Sequence, residues 1–380
     1  MPSIRRRRRV RAGQTGETMR TNAADEFLNL HEFVRAARLH LDQFAWDYLI
    51  GGVESETTLK RNRLAIDSLA FRPRVLVDVR EVDMTGTFFG RAVRLPVALA
   101  PVGSLQSFHA EAGSAVAKGA GDFGVPMILS SVSEPGLEVA ARAGGGVKVF
   151  QLYVRGDDDF ILDHMRRAED AGYDAFCITV DTAVLSRRER DIAKRWSKPW
   201  QARLSGMDYQ AGLDWATIER VRAKNRMKLI IKGIATAEDA GLACEMGIEG
   251  IYVSNHGGRQ LDHGRGALDV LPEVAQAVAG RAKLLVDGGF SRGADVVKAL
   301  ALGADTVCLG RLYLYGLATA GAQGVFRVLE ILEDEMRRTM SLLGVTSLAG
   351  LTPAHVHAAP PVVPPGVHSA FPHLRLDEGY

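Results

Sequence analysis

Eight short, almost uninterrupted apolar runs punctuate the chain, at 96–102, 126–131, 147–154, 175–182, 228–233, 250–255, 283–289 and 306–311. Runs this uniformly apolar suit strands buried on both faces of a parallel sheet, not strands with one wet face. Between the runs the apolar spacing turns helical. Ile161, Leu162, Met165 and Ala168 share one face, behind the acidic residues Asp157, Asp158 and Asp159, and Val296, Val297 and Leu300 repeat the pattern in the seventh unit. Gly172, Gly247 and Gly303 each stand just before the next run. That is where a helix ends and its backbone turns left-handed, which glycine tolerates. Eight strand–helix units predict an α/β fold, a (β/α)8 TIM barrel. A doubly wound sheet would also alternate, but usually carries Gly-x-Gly-x-x-Gly after its first strand, and none follows here.

The 380 residues are 47% hydrophobic, enough for one large barrel core, and the net charge of +2 gives no global case for nucleic acid or a membrane surface. No run reaches the ~18 apolar residues of a membrane span. The basic block Arg5–Arg9 has no apolar core behind it, so it reads as a disordered tail or as sequence upstream of a start at Met19, not as a secretory signal. Three cysteines, Cys177, Cys244 and Cys308, without CxxC spacing, fit core thiols in a reducing cytoplasm. The organisation expected is a disordered basic segment at 1–26, a barrel domain with an N-terminal helical extension at 27–352, and a Pro/His-rich C-terminal tail at 353–380, extended or disordered. Residues 33–50 read as one helix ended by Gly51 and Gly52. Residues 189–215 form a polar insertion after the fourth strand, long enough to cover a site. His355 and His357 lack further ligands at metal spacing, so no metal is expected.

Barrel enzymes carry their chemistry at the C-terminal ends of the strands. In order, those ends offer Pro101, Val102 and Gly103; Ser130; Gln151 and Tyr153; Thr179, Asp181 and Arg188; Lys232; Ser254, His256 and Arg259; Asp287, Gly288 and Gly289; Gly310 and Arg311. Three readings follow. Glycines after the last two strands, with Arg311 to add a charged fork, suit a phosphate. Arg188 and Arg259 can clamp a carboxylate. His256 can act as a base whose tautomer Asp181 holds.

The run 254–260, Ser-Asn-His-Gly-Gly-Arg-Gln, resembles the active-site signature of the FMN-dependent α-hydroxy acid oxidases and dehydrogenases. That family includes glycolate oxidase, lactate oxidase, lactate monooxygenase, mandelate dehydrogenase and flavocytochrome b2. Asp47-Tyr48 with Gly51-Gly52 and 57–59, the run 150–153, 179–182 with Arg187-Arg188-Glu189, Lys232-Gly233, 287–289 and 298–303 extend the resemblance over about 27–352. The resemblance implies FMN as cofactor and a small 2-hydroxy acid, of (S) configuration, as substrate. It implies oxygen or an electron-transfer acceptor as the second partner, and a homo-oligomer, a tetramer in many relatives. By position it implies His256 as base backed by Asp181, with Arg188, Arg259 and Tyr48 on the carboxylate and Tyr153 on the substrate oxygen. Lys232 would lie near the flavin N1 and O2. Ser130, Gln151, Thr179 and Ser254 would line the ring, with Pro101, Val102 and Gly103 against its face. Asp287, Gly288, Gly289, Phe290, Ser291, Gly310 and Arg311 would hold the ribityl phosphate.

Of the positions that depart from the family pattern, three bear on the site. Ser291 stands where an arginine is usual, so one phosphate contact is lost or passes to Arg292. Gly103 replaces a common alanine and Val132 a bulky tryptophan, which together predict a substrate larger than glycolate, aryl or longer aliphatic. Two other classes fit the barrel: an FMN-dependent isomerase without net redox chemistry, and a non-catalytic flavoprotein. Neither needs a His–Asp pair beside two arginines.

Overall fold

The computed structural model describes residues 23–195 and 205–374. Each apolar run forms a strand: β1 (Val97–Leu99), β2 (Met127–Ser130), β3 (Lys148–Leu152), β4 (Ala175–Thr179), β5 (Leu229–Ile234), β6 (Gly250–Val253), β7 (Lys283–Val286) and β8 (Thr306–Leu309). They pair in parallel and in chain order, and β8 closes onto β1 through Val307–Val97 and Leu309–Leu99. The strands are shorter than the runs because the last residues of most runs leave the ladder and become the loops of the site.

The barrel interior is packed, not hollow. Ala98, Ile128, Val149, Cys177, Ile230, Tyr252, Leu285 and Cys308, one from each strand, form a single buried cluster. Burial pushes the Cys177 thiol up to about 12, so it is an inert core group. A hairpin, Gly86–Phe88 with Arg91–Val93, sets Phe88 and Phe89 against this cluster. The helices form the outer layer, with Ile161, Met165, Ala168, Val296 and Val297 buried as their spacing requires. Gly172, Gly247 and Gly303 take φ of 80°, 70° and 103°. Among the described residues no helix is long and apolar enough to cross a membrane.

The single helix expected over 33–50 is two, Leu30–His40 and Gln43–Ile50. The break is local chemistry. Leu41 is extended, and the Asp42 carboxylate accepts a hydrogen bond from Ala45 N at 2.7 Å, starting a new helix. The second helix buries Trp46, Tyr48, Leu49 and Ile50.

With the helix Thr57–Asp67, the Gln43–Ile50 helix makes a roof over the strand ends. Asp262, from the loop after β6, accepts from Ser55 Oγ at 2.6 Å and Thr58 N at 2.8 Å. Burial opposes its charge, but these hydrogen bonds win and draw its carboxyl down to about 2. Asn62 and Asn255 exchange amide hydrogen bonds at 2.9 and 2.7 Å. Gly258, at φ 75°, lies so close to the roof that a Cβ there would stand 2.5 Å from the Leu59 backbone.

The described part of the tail is an extended arm. Val356–Ala358 pairs antiparallel with Leu69–Phe71. Beyond it the Ala370 carbonyl accepts from Arg292 Nη1 at 3.1 Å, the His368 ring stacks on Trp46 at 5.5 Å, and Phe371 is buried edge-on to His31 and Tyr315. The insertion contributes short helices Glu189–Ala193 and Met207–Ala211. The middle of the expected cover, 196–204, lies outside the described residues, as do 1–22 and 375–380.

Candidate active site

One continuous cavity runs across the strand ends under the roof, lined among others by Tyr48, Pro101, Val102, Gly103, Val132, Tyr153, Arg188, Lys232, His256, Arg259, the run 287–291, Gly310 and Arg311. Barrel register places the polar strand ends side by side, with Ser130 opposite Gln151 and Thr179 opposite Lys232. Gln151 and Thr179 are fully buried, yet both amide atoms of Gln151 and the Thr179 hydroxyl have no hydrogen-bond partner in the protein. Such groups cost about 1–3 kcal/mol each when left alone. They fit a ligand edge that both donates and accepts, as a flavin ring does.

The histidine expected as base sits in an over-determined corner. His256 Nδ1 lies 3.0 Å from Asp181 Oδ1, and Nε2 lies 3.2 Å from the Tyr153 hydroxyl. Its backbone N–H donates to Ser254 Oγ at 3.0 Å, and that hydroxyl donates to Asp287 Oδ1 at 2.7 Å while accepting from Lys232 Nζ at 2.9 Å. Ser254 is thus a buried hinge between Lys232 and Asp287. His256 itself has φ 59°, a left-handed backbone rare outside glycine and found at functional sites.

The charges in this corner are tuned. Burial lowers the His256 pKa, and Lys232 and Arg188 add to that, against the pull of Asp181. The resting ring is therefore neutral near pH 7, as a base requires. Asp181 is held as carboxylate: burial raises its pKa, but His256 and Lys232 outweigh it. Lys232 keeps its proton despite burial because Asp181 and Asp287 face it. Burial raises the Tyr153 pKa, so it remains a phenol able to donate.

Across the cavity stand two arginines. Arg259 lies over the Tyr48 ring at 4.8 Å and Arg188 at 5.9 Å from the same ring. Arg259 donates to the Gly51 carbonyl at 2.6 Å, and Arg188 to Ser186 Oγ at 3.3 Å. Burial, and then the Arg188 charge, push the Arg259 pKa down. A guanidinium does not deprotonate in practice, so the pair amounts to a standing demand for an anion. The Tyr48 hydroxyl donates to the Gly103 carbonyl at 3.1 Å.

At the other end, Gly288 and Gly289 turn at φ 112° and 90°. Arg311 lines the cavity, yet donates to the carbonyls of Leu49, Gly257 and Gly51 at 3.0, 3.1 and 2.9 Å. Three of its five N–H groups are used this way, so two remain for a ligand. The contact expected to pass to Arg292 does not. Arg292 pairs with Glu335 at 2.6 Å and holds the tail carbonyl of Ala370. The cavity arginine nearest in role is Arg63, which donates to the Gly289 carbonyl at 3.2 Å and is paired with Asp295 at 2.7 Å.

Sequence reading missed Arg63, Arg155, Met207, Gly366 and Val367, all of which line the cavity. Arg155 had a signal, since it follows Gln151 and Tyr153 at the period of two that keeps side chains on one face. The others reach the site through long-range packing.

A packed barrel with a buried His–Asp pair, a demand for an anion opposite it, and glycine turns after the last strands defines a flavoenzyme acting on small anionic substrates. The family model described as FMN-dependent dehydrogenase matches residues 37–358. Glycolate oxidase 1 of Oryza sativa subsp. indica is 40% identical over 354 residues, covering 87% of this chain and 96% of the relative. The L-lactate oxidase of Nostoc sp. is 37% identical over 357 residues, covering 87% and 98%. A crystal structure of mandelate oxidase with (S)-2-phenylpropionate superposes with a TM-score of 0.82 at 40% identity, covering 89% of this chain and all of that one. The chain belongs to the FMN-dependent dehydrogenase family of 2-hydroxy acid oxidising enzymes, which act on CH–OH donors with FMN as cofactor.

Proposed function

We propose that the enzyme oxidises an (S)-2-hydroxy acid larger than glycolate to its 2-oxo acid, with His256 as the base and oxygen as the final acceptor. The observation that carries the reading is His256 itself: a neutral imidazole locked at Nδ1 by Asp181, with Nε2 facing the cavity beside a phenol and across from two arginines. The substrate carboxylate meets Arg188 and Arg259, with Tyr48 beside them. This orients the carbinol toward His256. Nε2 then takes a proton from the substrate, and Asp181 stabilises the imidazolium. Tyr153 donates to the substrate oxygen. Bound FMN supplies the sink for the electron pair that leaves with the α-hydrogen. Ser130, Gln151 and Thr179 would hold the edge of the flavin ring. Lys232 would supply a positive charge beside it. The 287–291 turn, Gly310 and Arg311 would receive the phosphate. Gly103 and Val132 both line the cavity, and two small residues in that wall support a larger substrate. The relatives named above are called oxidases, which favours oxygen.

Anaerobic flavin bleaching with both enantiomers of glycolate's larger homologues tests the reading. Lactate, mandelate or 2-hydroxyoctanoate should bleach the flavin faster than glycolate, in the (S) form only. A preference for glycolate overturns the size assignment. Peroxide formed in proportion to oxygen consumed supports an oxidase, whereas dye reduction without oxygen uptake replaces it with a dehydrogenase.

A further inference from the structure

Five arginines line the cavity, and four of them are answered. Arg63 pairs with Asp295 and Asp67, Arg311 meets three carbonyls, Arg259 donates to Gly51, and Arg188 to Ser186. Arg155 is different. Among the described residues it has no carboxylate, carbonyl or hydroxyl partner, and its guanidinium rests against the Met207 thioether. A thioether is a weak acceptor. Arg155 is nevertheless built into the wall. Its backbone extends the β3 direction past Tyr153, and Gly206 packs so closely that a Cβ there would stand 2.4 Å from the Arg155 carbonyl. Gln210 fixes the same segment, accepting from Val154 N at 2.8 Å and donating to the Thr179 carbonyl at 3.0 Å.

The side chain is half-buried against Met207, in a cavity that Val184 and Leu185 also line. A half-buried cation with no oxygen acceptor from the protein gains when an anion meets it. The α-carboxylate has its own pair in Arg188 and Arg259, on the Tyr48 side. What Arg155 can recognise is a second anion, at the far end of the substrate side chain.

We propose that Arg155 is a specificity-determining residue that selects dicarboxylic 2-hydroxy acids, its guanidinium holding the carboxylate at the end of the side chain. This rests on the oxidation of 2-hydroxy acids proposed above, and it assigns the extra room in the site to an acidic side chain rather than a neutral one. Because the guanidinium forms charge-assisted, bidentate hydrogen bonds with a carboxylate, a neutral substituent of the same shape loses the gain.

The test compares (S)-2-hydroxyglutarate with its neutral isostere (S)-2-hydroxy-5-methylhexanoate, and (S)-2-hydroxyadipate with its branched neutral counterpart, on the FMN-loaded enzyme. At least one dicarboxylate should exceed its isostere by about tenfold in kcat/KM, the size of one hydrogen bond to a charged group. Arg155→Gln should lower that ratio about tenfold and Arg155→Lys should retain part of it. The ratio is unaffected by a general loss of activity. In spectral titrations without turnover, 2-oxoglutarate should bind the oxidised enzyme more tightly than its neutral isostere 5-methyl-2-oxohexanoate, and Arg155→Gln should erase the difference. Equal rates for acid and isostere, or a ratio unmoved by Arg155→Gln, overturn the proposal. If neutral 2-hydroxy acids bleach the flavin and the dicarboxylates gain nothing, the Arg155 assignment falls and the oxidation stands. If no 2-hydroxy acid bleaches it, both fall.

Discussion

The His256 corner and the arginine wall face each other across one cavity, but they are held in different ways. In the corner, side chains hold side chains: His256 to Asp181, Ser254 to Asp287, Lys232 to Ser254. All follow or end barrel strands that are paired to one another. On the arginine side, Arg259 in the wall is held by the Gly51 carbonyl, and Arg311 at the glycine-turn end by the carbonyls of Leu49 and Gly51, both of the roof. The corner is therefore as rigid as the barrel. The wall is only as well placed as the roof is docked. Damage to the corner should change chemistry and leave the fold alone, whereas damage to the wall should change binding and stability together.

The largest effect expected is His256→Gln. It removes the proposed base and keeps the size, so flavin reduction in anaerobic stopped-flow should slow by about 10²–10⁴-fold, with FMN retained and the melting temperature little changed. A loss below tenfold would remove His256 from the proton transfer. The native enzyme should show the matching pH dependence. Burial first, then Lys232 and Arg188, hold the His256 pKa below its ordinary 6.5. The neutral, active ring is thus present at pH 7 and is lost as pH falls through the lowered value. kcat/KM should be flat above about pH 6.5 and decline only at more acidic pH.

Arg311→Met tests the wall. It strips three carbonyls of a charged donor. At about 1–3 kcal/mol for each buried acceptor left alone, with partial rescue by water, the loss should be about 3 kcal/mol in urea unfolding. KM should rise in the same variant, because Gly51 also positions Arg259. A variant that loses flavin but keeps its stability would show that Arg311 holds the ligand without holding the roof.

The contrast also explains what could be read without coordinates. The eight strands and the corner were legible because each rests on a short apolar run and the residues just after it. The roof was not. Its contacts join positions some two hundred residues apart, such as Asn62 with Asn255 and Ser55 with Asp262. The break at Leu41–Asp42 did leave a local trace, an aspartate able to cap the helix that follows it. Arg292 stays away from the cavity for a related reason: its neighbour in the chain lines the cavity, but Glu335 and the tail draw its guanidinium away. The tail's composition suggested an arm or disorder, and only the burial of Phe371 decides between them.

Phe371→Ala probes that arm. The ring is buried against His31 and Tyr315, and deleting it should cost about 3 kcal/mol in unfolding free energy. Because Gly366 and Val367 line the cavity, FMN release followed by fluorescence should quicken as well. Loss of stability without faster release would make the arm purely structural.

The smallest effect concerns the cavity wall that Gly103 and Val132 line. A methyl at Gly103 would stand 2.8 Å from Val132 Cγ2 and 3.6 Å from the Tyr48 hydroxyl. The two small residues are therefore one surface, since Val132 already fills part of the space that the missing methyl leaves. Gly103→Ala must push Val132 toward the substrate, a strain of about 1–3 kcal/mol for overpacking. The ratio of kcat/KM for mandelate to that for lactate should fall about tenfold, and Val132→Ala in the same chain should restore it by giving the methyl room. Tyr48 donates to the Gly103 carbonyl, so any shift there would raise KM for both acids alike and leave their ratio unchanged. A ratio unmoved by Gly103→Ala would show that this wall does not touch the substrate side chain.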